Sequence, residues 1–348
     1  MLISNSIVNK RIKHRIISFT QATTGNFMLV FPFLNNVFHY KKDSLRIGYY
    51  HIISNQSKEH YFDNKKLSPK MFEEHLCFFK KHFDIISLTD ALHMAERKES
   101  LYKKLVLTFD DGFEENYSVA APILKEKKIP ATFFLIGNCI DNKDLMWRNK
   151  LLIINRRAGK RLSILIGEAT ALFGLPPMYN YEDILDWSLR AWPMSKKEEI
   201  ANYCWNASDI GTIQEYLEEN KPYLTVEQIR RMLNDGFEIG SHSMSHPVFS
   251  RLSYDEFEKE ILGSVQLLQT TFGKAITSFS YPFGIKASPQ FEQKLVMSDQ
   301  TCIKTLLGSR NRLDNYLNCL QWERDNLEFR MNEMLFRLNI MPLLRRFA

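Results

Sequence analysis

The chain has 348 residues, of which 45% are hydrophobic and 25% are charged. These fractions exclude a disordered or low-complexity protein, and the length allows a sizeable core without disulfide bonds. The formal net charge is +6, and the whole surplus lies in residues 1–46, which hold seven Lys or Arg and one acid. Because the remaining residues are formally neutral, we expect no nucleic-acid partner. The basic N-terminal segment, residues 1–44, is either a solvated end or a contact for an anionic surface.

The N-terminal segment has no stretch with the properties of a membrane span or a secretory signal. Its longest apolar run, residues 27–34, has eight residues and is interrupted by Pro32, whereas a membrane span needs about 20. Residues 16–26 are too polar for the apolar centre of a signal peptide. The five cysteines are odd in number and form no C-x-x-C pair. These features predict a cytoplasmic protein.

From residue 45 onward, short apolar runs alternate with helical patterns. The helices have recognisable starts: Ser68 precedes Pro69 as an N-cap, and Thr225 and Ser253 each open a capping box with a Gln or Glu three residues later. Strands that alternate with helices predict an α/β fold with a parallel sheet, either open or closed into a barrel. The predicted strands are residues 45–50, 105–109, 131–136, 237–239, 276–281 and 301–306.

Residues 141–224 interrupt this alternation with consecutive helical patterns, and we interpret them as a helical insertion. Ser195 and Glu198 have the spacing of a capping box. Four tryptophans lie in the same stretch, and such large apolar side chains favour burial in a core over an exposed platform for sugar rings. They are Trp147, Trp187, Trp192 and Trp205.

Polar clusters directly follow four of the predicted strands. In α/β folds, active sites collect at the carboxyl ends of the strands, so four independent clusters at such positions predict one common site. The clusters are His51, residues 110–112, residues 241–247 and residues 281–284.

His242 and His246 form an H-x-x-x-H pattern, which places two imidazoles on one face of a helical turn, where they can hold one metal ion. Pro247 keeps that turn short. Two surface histidines without a metal are the alternative for such a pattern. The adjacent carboxylates Asp110 and Asp111 favour the metal site, since two carboxylates are costly to bury unless they are paired or metal-bound. A His-His-carboxylate set with open positions is typical of a hydrolytic centre, with a divalent metal, Zn²⁺ first, as the expected cofactor.

Three motifs carry a family resemblance: T-F-D-D-G at 108–112, H-S-M-S-H-P at 242–247 and Y-P-F-G at 281–284. Together they resemble the polysaccharide deacetylase family, also called the NodB-homology domain or carbohydrate esterase family four, and within it a tyrosine-proline subgroup. The family is one of hydrolases that remove acetyl groups from sugars with the help of a metal ion.

The resemblance covers residues 45–310. It implies an α/β fold, a distorted TIM-like (β/α) barrel of about seven parallel strands, with the helical insertion at 141–224. Beyond the barrel, we expect residues 311–348 to form a C-terminal helical tail.

The resemblance also implies roles for individual residues. Asp110 is expected to be the general base, and the backbone N–H of Phe283 is expected to hold the oxyanion together with the metal. Tyr281 and Pro282 belong to the same substrate-contacting motif. The expected metal ligands are Asp111, His242 and His246.

Two features depart from the family pattern. Many members carry an Arg two residues before the motif-three proline, directed at the catalytic Asp, and this chain has Ser280 there. The late histidine that usually supplies the general acid is also missing, because no histidine follows His246. His51, which follows a predicted strand, is the best substitute; a histidine merely packed beside the first strand is the alternative.

The sequence therefore predicts a metal-dependent deacetylase for an N-acetylated sugar of a polysaccharide or glycolipid in cell-surface glycan assembly. A catalytically weak or inactive carbohydrate-binding relative is one alternative, and a deformylase or other amide hydrolase of the same metal type is another. The N-terminal segment and residues 334–348 combine basic with apolar residues, as interfacial segments do. This composition predicts peripheral attachment to an anionic membrane at its cytoplasmic face.

Overall fold

The computed structural model describes residues 45–62, 66–297, 302–308 and 320–339. The basic N-terminal segment, and with it most of the predicted membrane contact, lies outside these residues. The strands are β1 (Arg46–Tyr50), β2 (Ile52–Ile53), β3 (Lys66–Leu67), β4 (Asp84–Ile85), β5 (Lys104–Phe109), β6 (Thr132–Leu135), β7 (Glu238–Ser241), β8 (Ser278–Ser280), β9 (Thr305–Gly308), β10 (Leu320–Glu323) and β11 (Asp325–Asn326). The α-helices are α1 (Pro69–His82), α2 (Leu88–Glu96), α3 (Ala121–Glu126), α4 (Trp147–Arg157), α5 (Arg161–Phe173), α6 (Ile184–Ala191), α7 (Lys197–Ala207), α8 (Ile213–Asn220), α9 (Val226–Asn234), α10 (Tyr254–Phe272), α11 (Pro289–Val296) and α12 (Met331–Asn339).

The main sheet is a nearly closed barrel of parallel strands. Its eight strands pair in the order β10-β9-β8-β7-β6-β5-β1-β11, and every pairing along this path is parallel. The short strand β4 pairs with β5 beside this path. The predicted α/β barrel is therefore confirmed, and the sequence alone had left an open sheet as the alternative.

The barrel closes through a segment that the sequence predicts as helical. The first and last strands of the path, β10 and β11, are consecutive in the chain with only Arg324 between them. The N–H of Arg324 donates to the carbonyl of Gly308, and that of Leu327 donates to the carbonyl of Tyr49. The prediction of a helical tail over 311–348 is thus wrong for these strands, which are too short to show a strand periodicity; a helix follows only at α12.

Alternate residues of β5 belong to two different apolar clusters, as the period of a strand requires. Leu105, Leu107 and Phe109 lie in the large cluster that the strands form with the surrounding helices. Val106 lies in a smaller cluster with Ile47, Phe134 and Leu307 of neighbouring strands and with Leu88 and Ala91 of α2. Asp110, which directly follows β5, lies an even number of residues after Val106, so the two side chains point to the same side of the strand. The strand therefore directs one carboxylate of the acidic pair toward the inside of the barrel.

Helices α4 to α8 and short 3₁₀ turns occupy the stretch between β6 and α9. All four tryptophans of this stretch are buried, which confirms that they are core residues. Trp192 packs against both Trp147 and Trp187, with ring centroids 6.2 and 5.4 Å apart. The description of residues 141–224 as an insertion on the family's barrel stays a prediction.

Helix starts follow the capping signals at most predicted positions. Ser68, Thr225 and Ser253 each accept a backbone hydrogen bond at the start of their helix, and the last two form complete capping boxes. The predicted box at Ser195 and Glu198 is wrong. Ser195 already lies inside the 3₁₀ turn before α7, and the Glu198 carboxylate approaches a buried lysine instead. Within the described residues, no helix has the length and apolar character of a membrane span.

Candidate active site

The structure brings the predicted site residues together at the carboxyl ends of the barrel strands. His51 follows β1, the two aspartates follow β5, the two histidines follow β7, and the Tyr-Pro-Phe motif follows β8. Both aspartates and both histidines of the set are at most 3% exposed. Such burial excludes the alternative of two surface histidines.

Asp111, His242 and His246 converge in a geometry that suits a metal ion. The two Nε2 atoms lie 3.4 and 3.2 Å from the same carboxylate oxygen of Asp111, Oδ1. One donor atom from each residue can be chosen so that all three lie within 4.8 Å of one another. Two imidazole nitrogens and a carboxylate oxygen are the ligands that zinc takes in catalytic sites, where an open position remains for substrate. These three residues therefore fit the divalent metal that the sequence predicts.

A hydrogen bond to the backbone sets the tautomer of His242. Its Nδ1 lies 2.7 Å from the carbonyl oxygen of Ser280, so the N–H is on Nδ1 and the lone pair of Nε2 is available. Metal-binding histidines commonly donate their second nitrogen in this way.

The loop that carries the two histidines is held in an uncommon backbone conformation. Ser243 and His246 have φ angles of 72° and 58°, a left-handed region that non-glycine residues seldom adopt. The hydroxyl of Ser243 accepts the N–H of His246 at 2.9 Å, which ties the loop to itself. Glu260 of α10 accepts the N–H groups of Met244 and Ser245 at 3.0 and 2.9 Å.

Helical residues between β6 and β7 also hold this loop. The indole N–H of Trp147 donates to the carbonyl of His246 at 2.9 Å. The Lys197 ammonium donates to the hydroxyl of Ser245 at 2.7 Å. The position of a candidate metal ligand therefore depends on helices α4 and α7 as well as on the barrel.

Asp110 forms a buried two-pronged ion pair with Arg324, a residue that sequence reasoning missed. The two guanidinium nitrogens lie 2.8 and 2.7 Å from the two carboxylate oxygens. Burial raises the pKa of Asp110, but the charges of Arg324 and then His242 outweigh burial and lower the pKa to about 2. Asp110 is therefore ionised at neutral pH.

Arg324 makes the contact with Asp110 that the family resemblance predicts for the Arg missing at position 280. The Ser280 hydroxyl lies only 3.5 Å from Asp110, at the limit of a hydrogen bond. The guanidinium that binds Asp110 belongs instead to the residue between β10 and β11, which lies 214 positions away from Asp110 in the chain. The only signal for it in the sequence is general, namely that a buried carboxylate needs a cationic partner.

His51 points into the same site and is oriented by Glu328, the second residue that sequence reasoning missed. The Nδ1 atom lies 3.0 Å from both carboxylate oxygens of Glu328, which also accepts the backbone N–H of His51 at 2.6 Å. Nε2 faces the centre and lies 4.0 Å from Asp111. A histidine with its Nδ1 on a carboxylate and its Nε2 toward the reacting groups has the geometry of an acid–base catalyst.

The Tyr-Pro-Phe motif divides between the core and the site. Tyr281 is fully buried, and its ring packs against Phe249 and Phe279 at 5.1 and 5.0 Å. This packing places the Tyr281 side chain in the core, and the substrate contact predicted for this residue stays a prediction. Phe283 has a φ angle of 58°, and its ring packs on His246 at 4.6 Å. The turn hydrogen bonds around Pro282 are donated by the N–H groups of Gly284 and Ile285, so neither uses the N–H of Phe283, the predicted oxyanion donor.

The polysaccharide deacetylase family model matches residues 97–161 and 181–295 of the chain. This protein belongs to the polysaccharide deacetylase family. The match contains Asp110, Asp111 and both histidines, but it ends before Arg324 and Glu328 and begins after His51. The family comparison therefore covers the candidate metal ligands and Asp110, whereas only the structure brings His51, Arg324 and Glu328 to the site.

Comparison with known proteins gives one curated relative and several structures of the same fold. YxkH of Bacillus subtilis, named provisionally as a polysaccharide deacetylase, is 31% identical over 105 residues, which span 30% of this chain and 36% of the relative. The deacetylase PplD of Streptococcus pyogenes, solved with acetate, has a TM-score of 0.53 at 16% identity over 82% of this chain and 93% of that one. IcaB of Ammonifex degensii gives 0.51 at 18% identity over 83% and 94% of the two chains.

Proposed function

We propose that this protein is a metal-dependent deacetylase that hydrolyses the N-acetyl group of a sugar in a polysaccharide or glycolipid intermediate of cell-surface glycan assembly. The observation that carries the proposal is the convergence of Asp111, His242 and His246 beside the ionised Asp110. Family membership supports a sugar deacetylase.

A bound divalent ion, Zn²⁺ first, would polarise the acyl carbonyl and lower the pKa of the attacking water. Asp110 would accept the proton of that water, and Arg324 supports this role because it keeps the carboxylate ionised. The N–H of Phe283, which neither turn hydrogen bond of this motif uses, would donate to the oxyanion that develops on the carbonyl oxygen.

His51 is proposed to complete the reaction as the general acid. When the C–N bond breaks, the amine of the sugar takes a proton from Nε2, and acetate leaves with the hydroxyl of the water. Glu328 supports this role, because its carboxylate accepts a hydrogen bond from Nδ1 and so fixes the direction of Nε2.

These contacts weaken the alternative of an inactive carbohydrate-binding relative. That alternative relies on the missing Arg near Ser280 and on the missing late histidine. Arg324 and the His51–Glu328 pair supply the same chemical groups from other parts of the chain.

Acyl release and metal content together test the proposal. The purified protein should contain about one divalent ion and release acetate from at least one member of a panel of N-acetylated sugars, with N-formylated sugars as the comparison. Asp111→Ala, His242→Ala or His246→Ala should each lose metal sharply, since two ligands remain. The exposed His93 serves as the control, and His93→Ala should change neither the metal content nor the release of acetate. Full metal binding in two of the three ligand variants would contradict the assignment.

Variants of the proposed acid and base separate chemistry from metal binding. Asp110→Asn and His51→Ala should keep the metal and remain folded, with some loss of stability from the charge left without its partner, and each should lower turnover by about 10²–10⁴-fold. Glu328→Gln should lower turnover less than His51→Ala does, since the imidazole of His51 remains. If His51→Ala is folded and fully active, another proton donor operates.

We also propose that the protein attaches peripherally to the cytoplasmic face of a membrane, where a lipid-linked substrate would be found. Support comes from the sequence alone, from the basic and apolar composition of residues 1–44 and 334–348. Each basic residue near an anionic leaflet contributes about 1 kcal/mol, and salt screens this attraction. Co-sedimentation with anionic vesicles should therefore be strong at low salt and lost at high salt. Equal binding to neutral and anionic vesicles would contradict the proposal.

A further inference from the structure

A second cationic side chain, Arg148, lies beside the candidate active site and has no role in the mechanism above. It is the second residue of α4, and its guanidinium carbon lies 5.1 Å from the ring centroids of both Phe62 and Phe283. Phe283 in turn packs on the candidate metal ligand His246. One aromatic ring therefore separates this guanidinium from the metal site.

Among the described residues, Arg148 has no hydrogen-bond partner and no carboxylate within 4.0 Å, and its Nε atom is buried. The side chain is only partly buried, so part of it remains accessible. Burial lowers the pKa of Arg148 to about 10, with Asp183 and Asp111 opposing the shift. The side chain is therefore still a cation at neutral pH.

The nearby acids outside the metal site are engaged elsewhere. Asp183 caps α6 by accepting the N–H of Asp186 at 2.7 Å. Asp186 pairs with Arg190 at 2.6 Å. Within the described part of the chain, neither carboxylate comes within 4.0 Å of the Arg148 guanidinium to form an ion pair with it.

Arg324 provides an internal comparison. It also lies over two aromatic rings, at 4.7 Å from Tyr49 and 5.6 Å from Phe134. Unlike Arg148, it also has a carboxylate, Asp110, on two of its nitrogens. Stacking on aromatic rings attracts a cation but leaves its five N–H donors without acceptors. Arg148 thus has two aromatic rings beside it, as Arg324 does, but it lacks the carboxylate that Arg324 binds.

We infer that Arg148 binds an oxyanion, a phosphate or a carboxylate, that the substrate carries close to its acylated sugar. The inference rests on the proposed function and narrows its substrate class to anionic sugars. A planar guanidinium held between two rings presents its edge to such a group and can donate two parallel hydrogen bonds. The aromatic rings exclude water from its faces, which strengthens the interaction with an anion.

Direct binding tests the inference without relying on turnover. Calorimetry on the zinc-loaded protein would compare N-acetylglucosamine, its 1- and 6-phosphates, and N-acetylglucosaminuronic acid, so that phosphate and carboxylate are separate arms. At least one anionic sugar should bind about 10–100-fold more tightly than the neutral one, the range for charge-assisted hydrogen bonds. Arg148→Met should abolish this preference and leave the affinity for the neutral sugar unchanged.

Two further variants control for charge and for folding. Arg148→Lys keeps the charge but loses the paired donors, so it should retain only part of the preference. Arg157→Met alters an exposed arginine of the same helix, one that pairs with Glu59, and should behave like the parent. Where an anionic sugar is hydrolysed, Arg148→Met should raise its KM with little change in kcat.

The outcomes distinguish this inference from the proposed function. Equal binding of neutral and anionic sugars, a preference that survives in Arg148→Met, or no binding of any probe would overturn the inference. Acetate release from a neutral sugar would still support the deacetylase in those cases. Conversely, an Arg148-dependent preference for anionic sugars without acetate release would support the inference and count against the deacetylase.

Discussion

Two ionisable residues of the candidate site, Asp110 and His51, are each held by a buried charged partner. Arg324 keeps Asp110 ionised, and Glu328 fixes the N–H of His51 on Nδ1. Each pair is buried, so losing one member leaves a charge without compensation. The chemistry proposed for the site therefore depends on Arg324 and Glu328 as well as on the proposed base and acid.

The ion pair between Arg324 and Asp110 gives the first prediction at this scale. Arg324→Met should destabilise the protein by about 3–5 kcal/mol, because it leaves a buried carboxylate without a cation. Activity should fall as well, since the pKa of Asp110 rises when Arg324 is removed. Urea unfolding and acetate release would measure the two effects.

A double variant tests whether the loss comes from the unpaired charge. Asp110→Asn combined with Arg324→Met should be more stable than Arg324→Met alone, since no carboxylate is then stranded. Arg46→Met is a suitable control, because Arg46 pairs with the partly exposed Asp325 and has no contact with Asp110. Arg46→Met should leave the rate of acetate release unchanged. Strictly additive effects of the Asp110 and Arg324 substitutions would contradict the proposed pairing.

The same residues mark the limit of what the sequence could predict. Asp110, Asp111, His242 and His246 lie in short motifs directly after strands, so local sequence predicts that they meet. Their partners Arg324 and Glu328 lie in no motif and reach the site only through closure of the barrel. Long-range pairing of this kind leaves no periodic signal in one sequence.

At the scale of elements, the helices between β6 and β7 stabilise the loop that carries the two histidines. Left-handed φ angles at Ser243 and His246 cost free energy, of the order of 1–3 kcal/mol each for residues of this kind. Contacts from Trp147 and Lys197 offset part of this cost. We therefore expect metal affinity to depend on a helix that supplies no metal ligand.

Trp147→Phe tests this dependence. The variant keeps most of the apolar volume but removes the hydrogen bond to the carbonyl of His246, so it should lose about 1–3 kcal/mol of stability. Affinity for zinc should fall by about 10-fold or more, the usual scale for outer-shell contacts. Competition with a chelating indicator would measure the affinity.

Trp187→Phe is the matched control. Trp187 is also fully buried and donates its indole N–H to a backbone carbonyl, that of Pro176 at 2.7 Å, away from the histidine loop. Trp187→Phe should lower the free energy of unfolding by a similar amount without changing the zinc affinity. Equal effects of the two substitutions on metal binding would mean that the Trp147 contact only stabilises the fold.

Helix and strand predictions differed in success for physical reasons. Thr225 and Ser253 start their helices as predicted, because a capping box is a local interaction complete within four residues. The box at Ser195 fails because the preceding 3₁₀ turn takes that residue into helical geometry. Strands β10 and β11 have four and two residues, which is below the length at which alternation can be recognised.

At the scale of the whole molecule, the helices between β6 and α9 are joined to the barrel by buried polar contacts as well as by apolar packing. His60, between β2 and β3, lies within 2.9 Å of the Tyr216 hydroxyl on α8 through its Nδ1 atom. The side-chain amide of Asn149 on α4 donates to the carbonyl of His60 at 2.6 Å. His60 is fully buried, so this junction tolerates a neutral imidazole and disfavours a charged one.

The pH dependence of stability follows from His60. Burial, and then the charges of Lys58 and Arg156, lower the pKa of His60 to about 3 in the folded protein, against about 6.5 in the unfolded chain. Between these values the unfolded state binds more protons, so the free energy of unfolding falls as the pH falls below 6.5. His60 alone should account for a loss of about 2–3 kcal/mol between pH 7.5 and 4.5.

His60→Gln removes this titration and should reduce the acid-induced loss of stability by that amount, as measured by urea unfolding of the metal-free protein at the two pH values. The remaining loss belongs to other groups, among them His75, whose pKa burial lowers to about 4. His93→Gln, at an exposed position of α2, should leave the dependence unchanged. If the parent and His60→Gln lose the same free energy between pH 7.5 and 4.5, His60 is not charged on unfolding in that range, and the junction with α4 and α8 does not make the fold acid-sensitive.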